Sequence, residues 1–396
     1  MIGLQLSVVA AAVGALTGPK PSLDLSFFGP TLDARLTFTR ATTAWYTNAA
    51  GVLTQAGINA PRFDYDPLTL QPLGLLIESQ STNQIQANTV DPVLGSWPQT
   101  PASGGTTVYS VVNDSAALTA AGLTLGTTVL KVDNSAGVGV AYISSEAAAA
   151  TGGLCVASAY LRATGANAGD VRISADWASS TYAAPLVGGG AYVRRATQPT
   201  TPGPANSHRL SVEVPAGCIV YVALAQYELA QFASSYIPTY GSAATRAGET
   251  CTMSTAGWYA EHTGTWGVEF LKQPNGSIGW RVAMVDAIAL VCYNYGSGSA
   301  EVRAHDSTGA SATSSFTFGQ VAKFALALGA AGATGMRTAI GGVSAAAAPY
   351  DGTFGQTTNP TLSVGGGDGY YLSGHLRRVT YYATPLPDAS LRTLTA

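Results

Sequence analysis

Charge is what this chain has least of. Asp, Glu, Lys and Arg make up 10% of its 396 residues, against about 25% in ordinary soluble domains. The net charge is -3, and no basic cluster exceeds the pairs Arg194-Arg195 and Arg377-Arg378. A polyanion is held by a basic stripe or patch, so nucleic acid is not expected as a partner. Cysteine is scarce as well: Cys155, Cys218, Cys251 and Cys292 are far apart with no CxxC pair, which excludes a zinc knuckle or a redox motif. They are expected as buried thiols acting as small hydrophobes.

Histidine is equally sparse. His208, His262, His305 and His375 sit in no GxSxG, HExxH or comparable setting, so each reads as structural or exposed rather than catalytic. Long apolar runs are missing too. Leu6 to Leu16 is the run nearest to one, and it is too short to span a bilayer. No cation precedes it, the first being Lys20, whereas a signal peptide carries a basic n-region. Residues 1–22 are therefore expected to be a sticky segment that docks onto another protein, a cleaved signal being the second reading; membrane insertion is not expected.

What is present is an ordinary 46% apolar content, enough for ordered cores. The length exceeds the roughly 250 residues at which a single core stops growing, so two or three domains are expected. Sustained helical periodicity is absent, while short period-two runs recur between Gly, Pro, Asn and Ser clusters. Examples are "RLSVEV", with Leu210, Val212 and Val214 on one face, and "TWGVEF", with Trp266, Val268 and Phe270 inward. "CIVYVALAQYEL", Cys218 to Leu229, reads as a strand buried on both faces or bulged. The fold class expected is all-β: tandem β-sandwich (jelly-roll) domains preceded by a small β-rich module. One helix is expected near the C-terminus, capped by Asp388. "SSYIPTYGSAATRAGE" reads as a strap between domains.

The stretch "PRFDYDPLTLQPLGLLIE", Pro61 to Glu78, concentrates charge in a chain that otherwise has little. Pro61 and Pro67 bracket one strand, "LTLQP" turns, and Gly74 to Glu78 returns, so a hairpin is the preferred reading. Asp64 and Asp66 alternate with Phe63 and Tyr65 and share a face. With Arg62, Arg35 and Arg40 they are expected to form a structural ion-pair cluster rather than a metal or catalytic site.

The same residues carry a resemblance. Leu23 to Glu78, with Phe38-Thr39-Arg40-Ala41-Thr42, Gly51, Pro61 to Pro67, Gly74 to Glu78 and the tract Glu78-Ser79-Gln80-Ser81-Thr82-Asn83, resembles the N-terminal module of bacteriophage fibre and spike proteins, tail fibres and head spikes included. The middle block, with Ala225-Gln226-Tyr227-Glu228, Ser234 to Thr239 and Ala244 to Ala247, is similar to the carbohydrate-binding-module-like jelly roll that follows in such proteins. "GHLRRVTYYATPLPDASLRTLT" resembles the ending of concanavalin-like, or laminin-G-like, sandwiches.

The resemblance implies residues 1–22 as an attachment segment, 23–86 as the fibre or spike module, 87–240 as the jelly roll and 250–396 as the laminin-G-like sandwich. It implies a protein on the phage particle surface, assembled in the host cytoplasm, that binds other virion proteins and adsorbs reversibly to host surface polysaccharide, with a homotrimer the favoured oligomer. A purely structural virion component and a capsule depolymerase are the alternatives. No enzyme activity and no cofactor are expected, because Glu213, Glu228, Asp306, Asp351 and Asp368 cannot be paired across a sugar-sized gap from sequence. Asp368 alone is too little for a hard cation, so no metal is expected.

Sugar binding asks for an aromatic platform and a few planar polar groups. Trp177, Tyr182 and Tyr192 in the middle block, and Tyr293, Tyr295, Asp351, Asp368 and Tyr370 in the last, are the glycan-binding candidates. The competing reading is that these aromatics fill sandwich cores or subunit contacts.

Overall fold

The structure is a computed structural model and describes residues 19–146, 153–176, 189–201, 208–272, 280–285, 288–294, 299–305, 311–317, 319–353, 361–367 and 370–396. The N-terminal stretch supplies β1 (Leu23–Ser26), β2 (Thr37–Thr39), β3 (Ala44–Thr47), β4 (Leu53–Ala56), β5 (Phe63–Tyr65), β6 (Pro72–Ile77) and β7 (Ser81–Asn83). The middle block holds β8 (Gln99–Thr100), β9 (Gly105–Asn113), the helix α1 (Ser115–Ala120), β10 (Thr128–Gly137), β11 (Ala141–Glu146), β12 (Val156–Gly165), β13 (Arg172–Asp176), β14 (Gly189–Ala196), β15 (His208–Val214) and β16 (Cys218–Glu228).

The last block begins with β17 (Ala244–Arg246), β18 (Thr250–Ser254), β19 (Gly264–Lys272), β20 (Trp280–Val285), β21 (Ile288–Asn294), β22 (Ser299–His305), β23 (Ser311–Thr317), β24 (Val321–Leu328) and β25 (Gly332–Ile340). It ends with β26 (Val343–Ser344), β27 (Ala348–Tyr350), β28 (Thr361–Val364), β29 (Gly366–Gly367), β30 (Tyr370–Tyr371), β31 (Gly374–Tyr382) and the helix α2 (Asp388–Thr395). The fold is all-β, as the period-two runs imply. Leu210, Val212 and Val214 of β15 are fully buried, and so is Phe270 of β19, with Trp266 and Val268 close behind.

Two sandwiches account for most of the strands. In the first, the order β14-β12-β16-β10-β9 faces β13-β15-β11-β8, and Val132, Ile143, Leu161, Ile173, Val212 and Val220 fill the space between. In the second, β26-β25-β24-β19-β31-β6-β5, with β1 added on β31, faces β2-β18-β28-β20-β21-β22-β23; Leu23, Leu25, Phe27, Leu75, Ile77, Trp266 and Phe324 lie in its core.

Residues 23–86 do not build a sheet system of their own, and here the structure differs from the module the sequence suggests. β1 and β6 pair with β31, β2 pairs with β18, and β7 pairs with β16 and β17; only β3 and β4 pair solely with each other. Short strands leave their apolar faces uncovered when isolated, and these cover theirs by completing sheets begun near the C-terminus. The middle block is thus inserted into a sandwich made from both ends of the chain. Its incoming and outgoing segments are stapled by β7 and β17, in the register Asn83↔Ala244, Thr82↔Thr245 and Ser81↔Arg246.

Of three local expectations, one needs adjusting. The strap over 234–249 is largely inside the protein: Ser234, Tyr236, Ile237, Thr239, Arg246 and Glu249 are all buried. β16 is both buried on its two faces over its second half and bulged, the register shifting opposite Ser158 and Tyr160 where Leu224 takes φ 47°. α2 forms as expected, but Asp388 does not cap it. Pro387 occupies the cap position, and Asp388 instead accepts a hydrogen bond from Arg337 Nη1 at 3.1 Å.

Cys155, Cys218 and Cys251 are buried, and burial pushes the Cys251 thiol up to about 12. Among the described residues no helix is long and apolar enough to cross a membrane.

Candidate functional site

The charged stretch turns out to be half of a buried joint between the two sandwiches. β5 and β6 form the expected hairpin, Asp66 N–H to Gln71 O closing its turn. Arg62, just before β5, is fully buried and reaches Glu249 with two bonds, Nε to Oε1 at 2.9 Å and Nη2 to Oε2 at 2.7 Å. Its Nη2 also donates to Glu78 Oε2 at 2.8 Å, and its Nη1 to Trp45 O and Ser235 Oγ. Arg40 donates Nη1 to Glu249 Oε1 at 2.8 Å and its other donors to the carbonyls of Thr42 and Gly57. Arg246 lies 3.5 Å from Glu78 Oε2 and donates to Ser79 O. Charges this deep persist only when paired, and these are, with Arg246 Nε left as the one donor of the cluster that is buried without a hydrogen-bond partner among the described residues. Burial alone would raise the Glu78 carboxyl, but Arg246, Arg62 and the hydroxyl and amide of Ser235 outweigh it and hold it well below its ordinary value.

Beside this joint lies a second buried polar knot. Asn83 donates to the carbonyls of Ala225 and Ile237 and accepts from the amides of Ile85 and Tyr227. Among the described residues Glu228 accepts from neutral groups: Ser81 Oγ, Ser234 N–H and Oγ, and Gln226 Nε2. The motif residues scattered over "PRFDYDP", "GLLIE", "TN", "AQYE", "SSYIPT" and "ATRAGE" thus converge, and what they do is hold the two sandwiches together.

The ion-pair expectation needs correcting in its acids. Arg40 and Arg62 belong to a buried cluster, but with Glu78 and Glu249. Asp64 accepts from Thr47 N–H at 2.7 Å and pairs with His375 Nε2 at 2.8 Å. Asp66 lies beyond the strand and accepts from Thr69 and Leu68 N–H in the turn, bonds that hold its carboxyl below its ordinary value. Arg35 pairs with Asp33 at the surface, 2.8 Å away.

Above the joint a cleft of about 280 Å³ opens between the β3–β4 hairpin, β5–β6, the start of β31 and the outer face of the jelly roll. Trp45 and Tyr46 form one wall and Tyr160, Tyr236 and Arg194 another, with Asp64 and His375 beside them. The wall on the jelly roll follows from register: Tyr160 of β12 and Arg194 of β14 are direct cross-strand partners, while their neighbours Ala159 and Leu161 point into the core. Among the described residues the hydroxyls of Tyr46 and Tyr160 have no partner, and His375 Nδ1 and Trp45 Nε1 are buried without one.

Of the glycan-binding candidates, Trp177, Tyr182, Tyr295 and Asp368 lie outside the described residues, and for Tyr293 and Tyr370 only the backbone, in β21 and β30, is described. Asp351 is an exposed turn residue accepting from Thr353 N–H. Tyr192 is no open platform: it is 6% exposed, and its hydroxyl donates to Asp114 Oδ2 at 2.7 Å. Burial raises its phenol far above the ordinary range, and the Asp114 carboxylate adds to that. Sequence reasoning missed Trp45, Tyr46, Tyr160, Arg194 and His375 as cleft residues and Glu249 as the centre of the joint. Apart from the adjacent Trp45 and Tyr46 of β3, they come from separate elements and share no local motif.

The sequence matches no family profile and no curated protein. Among solved structures the chain is similar to the CBM40 of Ruminococcus gnavus IT-sialidase bound to alpha2,3 sialyllactose, with 16% identity over 35% of this chain and 84% of that one, and a TM-score of 0.27. It is also similar to the HCR/D W1238A mutant, at 11% identity over 37% and 41% of the two chains and a TM-score of 0.30. A third likeness is to the binding domain of Paraclostridial Mosquitocidal Protein 1, at 9% identity over 37% and 43% and a TM-score of 0.24. These likenesses are too slight to bear on function.

Proposed function

We propose that this protein is a virion fibre or spike component of a phage, displayed on the particle, that adsorbs reversibly to host surface glycan without covalent chemistry. The observation that carries the glycan reading is the cleft. It combines aromatic walls from Trp45, Tyr46 and Tyr160 with unpartnered hydroxyls and a guanidinium, the mixture that holds a sugar ring and fixes its hydroxyls. The phage setting is supported by the motif resemblance over residues 23–83, which contributes Arg40, Arg62 and Glu78 to the joint.

The cleft offers poor material for hydrolysis. Glu78 is tied to Arg62 and Arg246 and kept ionised, whereas a general acid needs a raised pKa. Weak single-site binding becomes useful adhesion when copies are displayed together, which fits a trimer.

A glycan array probed with the intact oligomer tests the reading. Binding to host surface polysaccharide, reduced at least tenfold in Trp45→Ala, is the expected result; silence on every polysaccharide overturns it and leaves a purely structural virion role. New reducing ends after incubation with host capsule would instead establish a depolymerase.

A further inference from the structure

We infer that the cleft is built for an acidic sugar, its carboxylate seated on Arg194; this rests on the glycan reading above and specifies its ligand. Two arginines project from the outer face of the same jelly-roll sheet, and they differ. Arg162 is paired with a carboxylate, with Nη2 2.6 Å and Nε 3.1 Å from Asp114 Oδ2 and its guanidinium 3.6 Å from the centre of the Tyr221 ring.

Arg194 is half-buried and has no carboxylate partner among the described residues. One nitrogen, Nη2, donates to Ser234 O at 2.6 Å and to Ser158 Oγ at 3.1 Å; Nε and Nη1 donate to nothing in the described protein. A guanidinium partly withdrawn from water is ordinarily paired, and its planar fork matches a carboxylate with two parallel bonds. The bonds to Ser234 and Ser158 fix the fork at the cleft wall, so little side-chain freedom is lost on binding.

The nearby acids do not compete for it. Asp64 is held by His375 and Thr47, Glu78 by Arg62 and Ser235, and Glu228 by Ser81, Ser234 and Gln226. Tyr160, directly across from Arg194, places a free hydroxyl beside the same spot for a ring hydroxyl or the second carboxylate oxygen. Trp45 and Tyr46 on the facing wall take the apolar side of the ring.

The test uses an array of paired oligosaccharides, each carboxylate-bearing member printed beside its carboxyl-reduced counterpart, read with the intact protein and with Arg194→Gln, Arg194→Lys and Tyr160→Phe. Thermal melts confirm that each variant is folded. Binding of acidic members about ten- to a hundredfold above their reduced partners is expected, from the strength of hydrogen bonds to charged groups. That preference should vanish in Arg194→Gln, weaken in Arg194→Lys, which keeps the charge but loses the fork, and shrink in Tyr160→Phe.

Equal binding of acidic and reduced partners, or a preference that survives Arg194→Gln, overturns the acidic-sugar inference while glycan adsorption stands. Absence of binding to both members of every pair overturns adsorption itself.

Discussion

Glu249 shows how much one residue holds. Its two oxygens satisfy Arg40, Arg62 and the backbone N–H of Glu78, all inside the protein. Glu249→Gln leaves guanidinium charge buried and underpaired, and is expected to lower stability by about 3–5 kcal/mol in denaturant titrations. The surface pair Arg35–Asp33 has the same short distance but side chains 47% and 30% exposed, so Arg35→Ala is expected to change stability by less than about 1 kcal/mol.

Glu78 gives the joint an acid limit. Its folded pKa lies below the ordinary 4.5, so its contribution is complete above about pH 4.5 and is lost as pH falls below that value towards the depressed pKa. Melting temperature followed from neutral pH downward should therefore fall more steeply below pH 4.5 in the native protein than in Glu78→Gln; parallel curves would contradict the assignment.

At the scale of elements, the β5–β6 hairpin matters because it finishes someone else's sheet. Gly74 in β6 adopts φ 119°, and a Cβ there would overlap the carbonyl oxygen of Leu376 in β31. The missing side chain is what lets the motif strand lie against the C-terminal one. Gly74→Ala should cost about 3 kcal/mol, combining an alanine held at positive φ with an overpacked contact. Hydrogen exchange should show the loss at both β6 and β31, although the two are far apart in sequence.

For the whole molecule, the nested arrangement makes its own prediction about where the jelly roll can be cut. A fragment spanning 87–240, the boundaries the sequence suggests, lacks Ile85 from its core and Asn83 from the carbonyls of Ala225 and Ile237 and the N–H of Tyr227. A fragment spanning 81–246 keeps both, together with the β7–β17 staple. The longer fragment should melt cooperatively at the higher temperature, and equal melting temperatures would show that the staple is dispensable.

The sequence by itself determined the strands, because period-two alternation in β15 and β19 is a local pattern that any half-buried strand must show. It also pointed to ion pairing for Arg40 and Arg62, since cations so close to apolar runs must be paired where they are buried. Only the tertiary structure decided with what. Asp64 and Asp66 are the acids nearest Arg62 along the chain and Asp33 the one nearest Arg40, yet Glu249 takes both arginines from 187 and 209 residues away. Pairing between β7 and β17 brings Glu249 beside Glu78, and no periodicity encodes that meeting. The cleft is the same case. Trp45, Tyr160, Arg194 and His375 are unremarkable in sequence, and they face one another only because the two ends of the chain close around the inserted jelly roll to share a core.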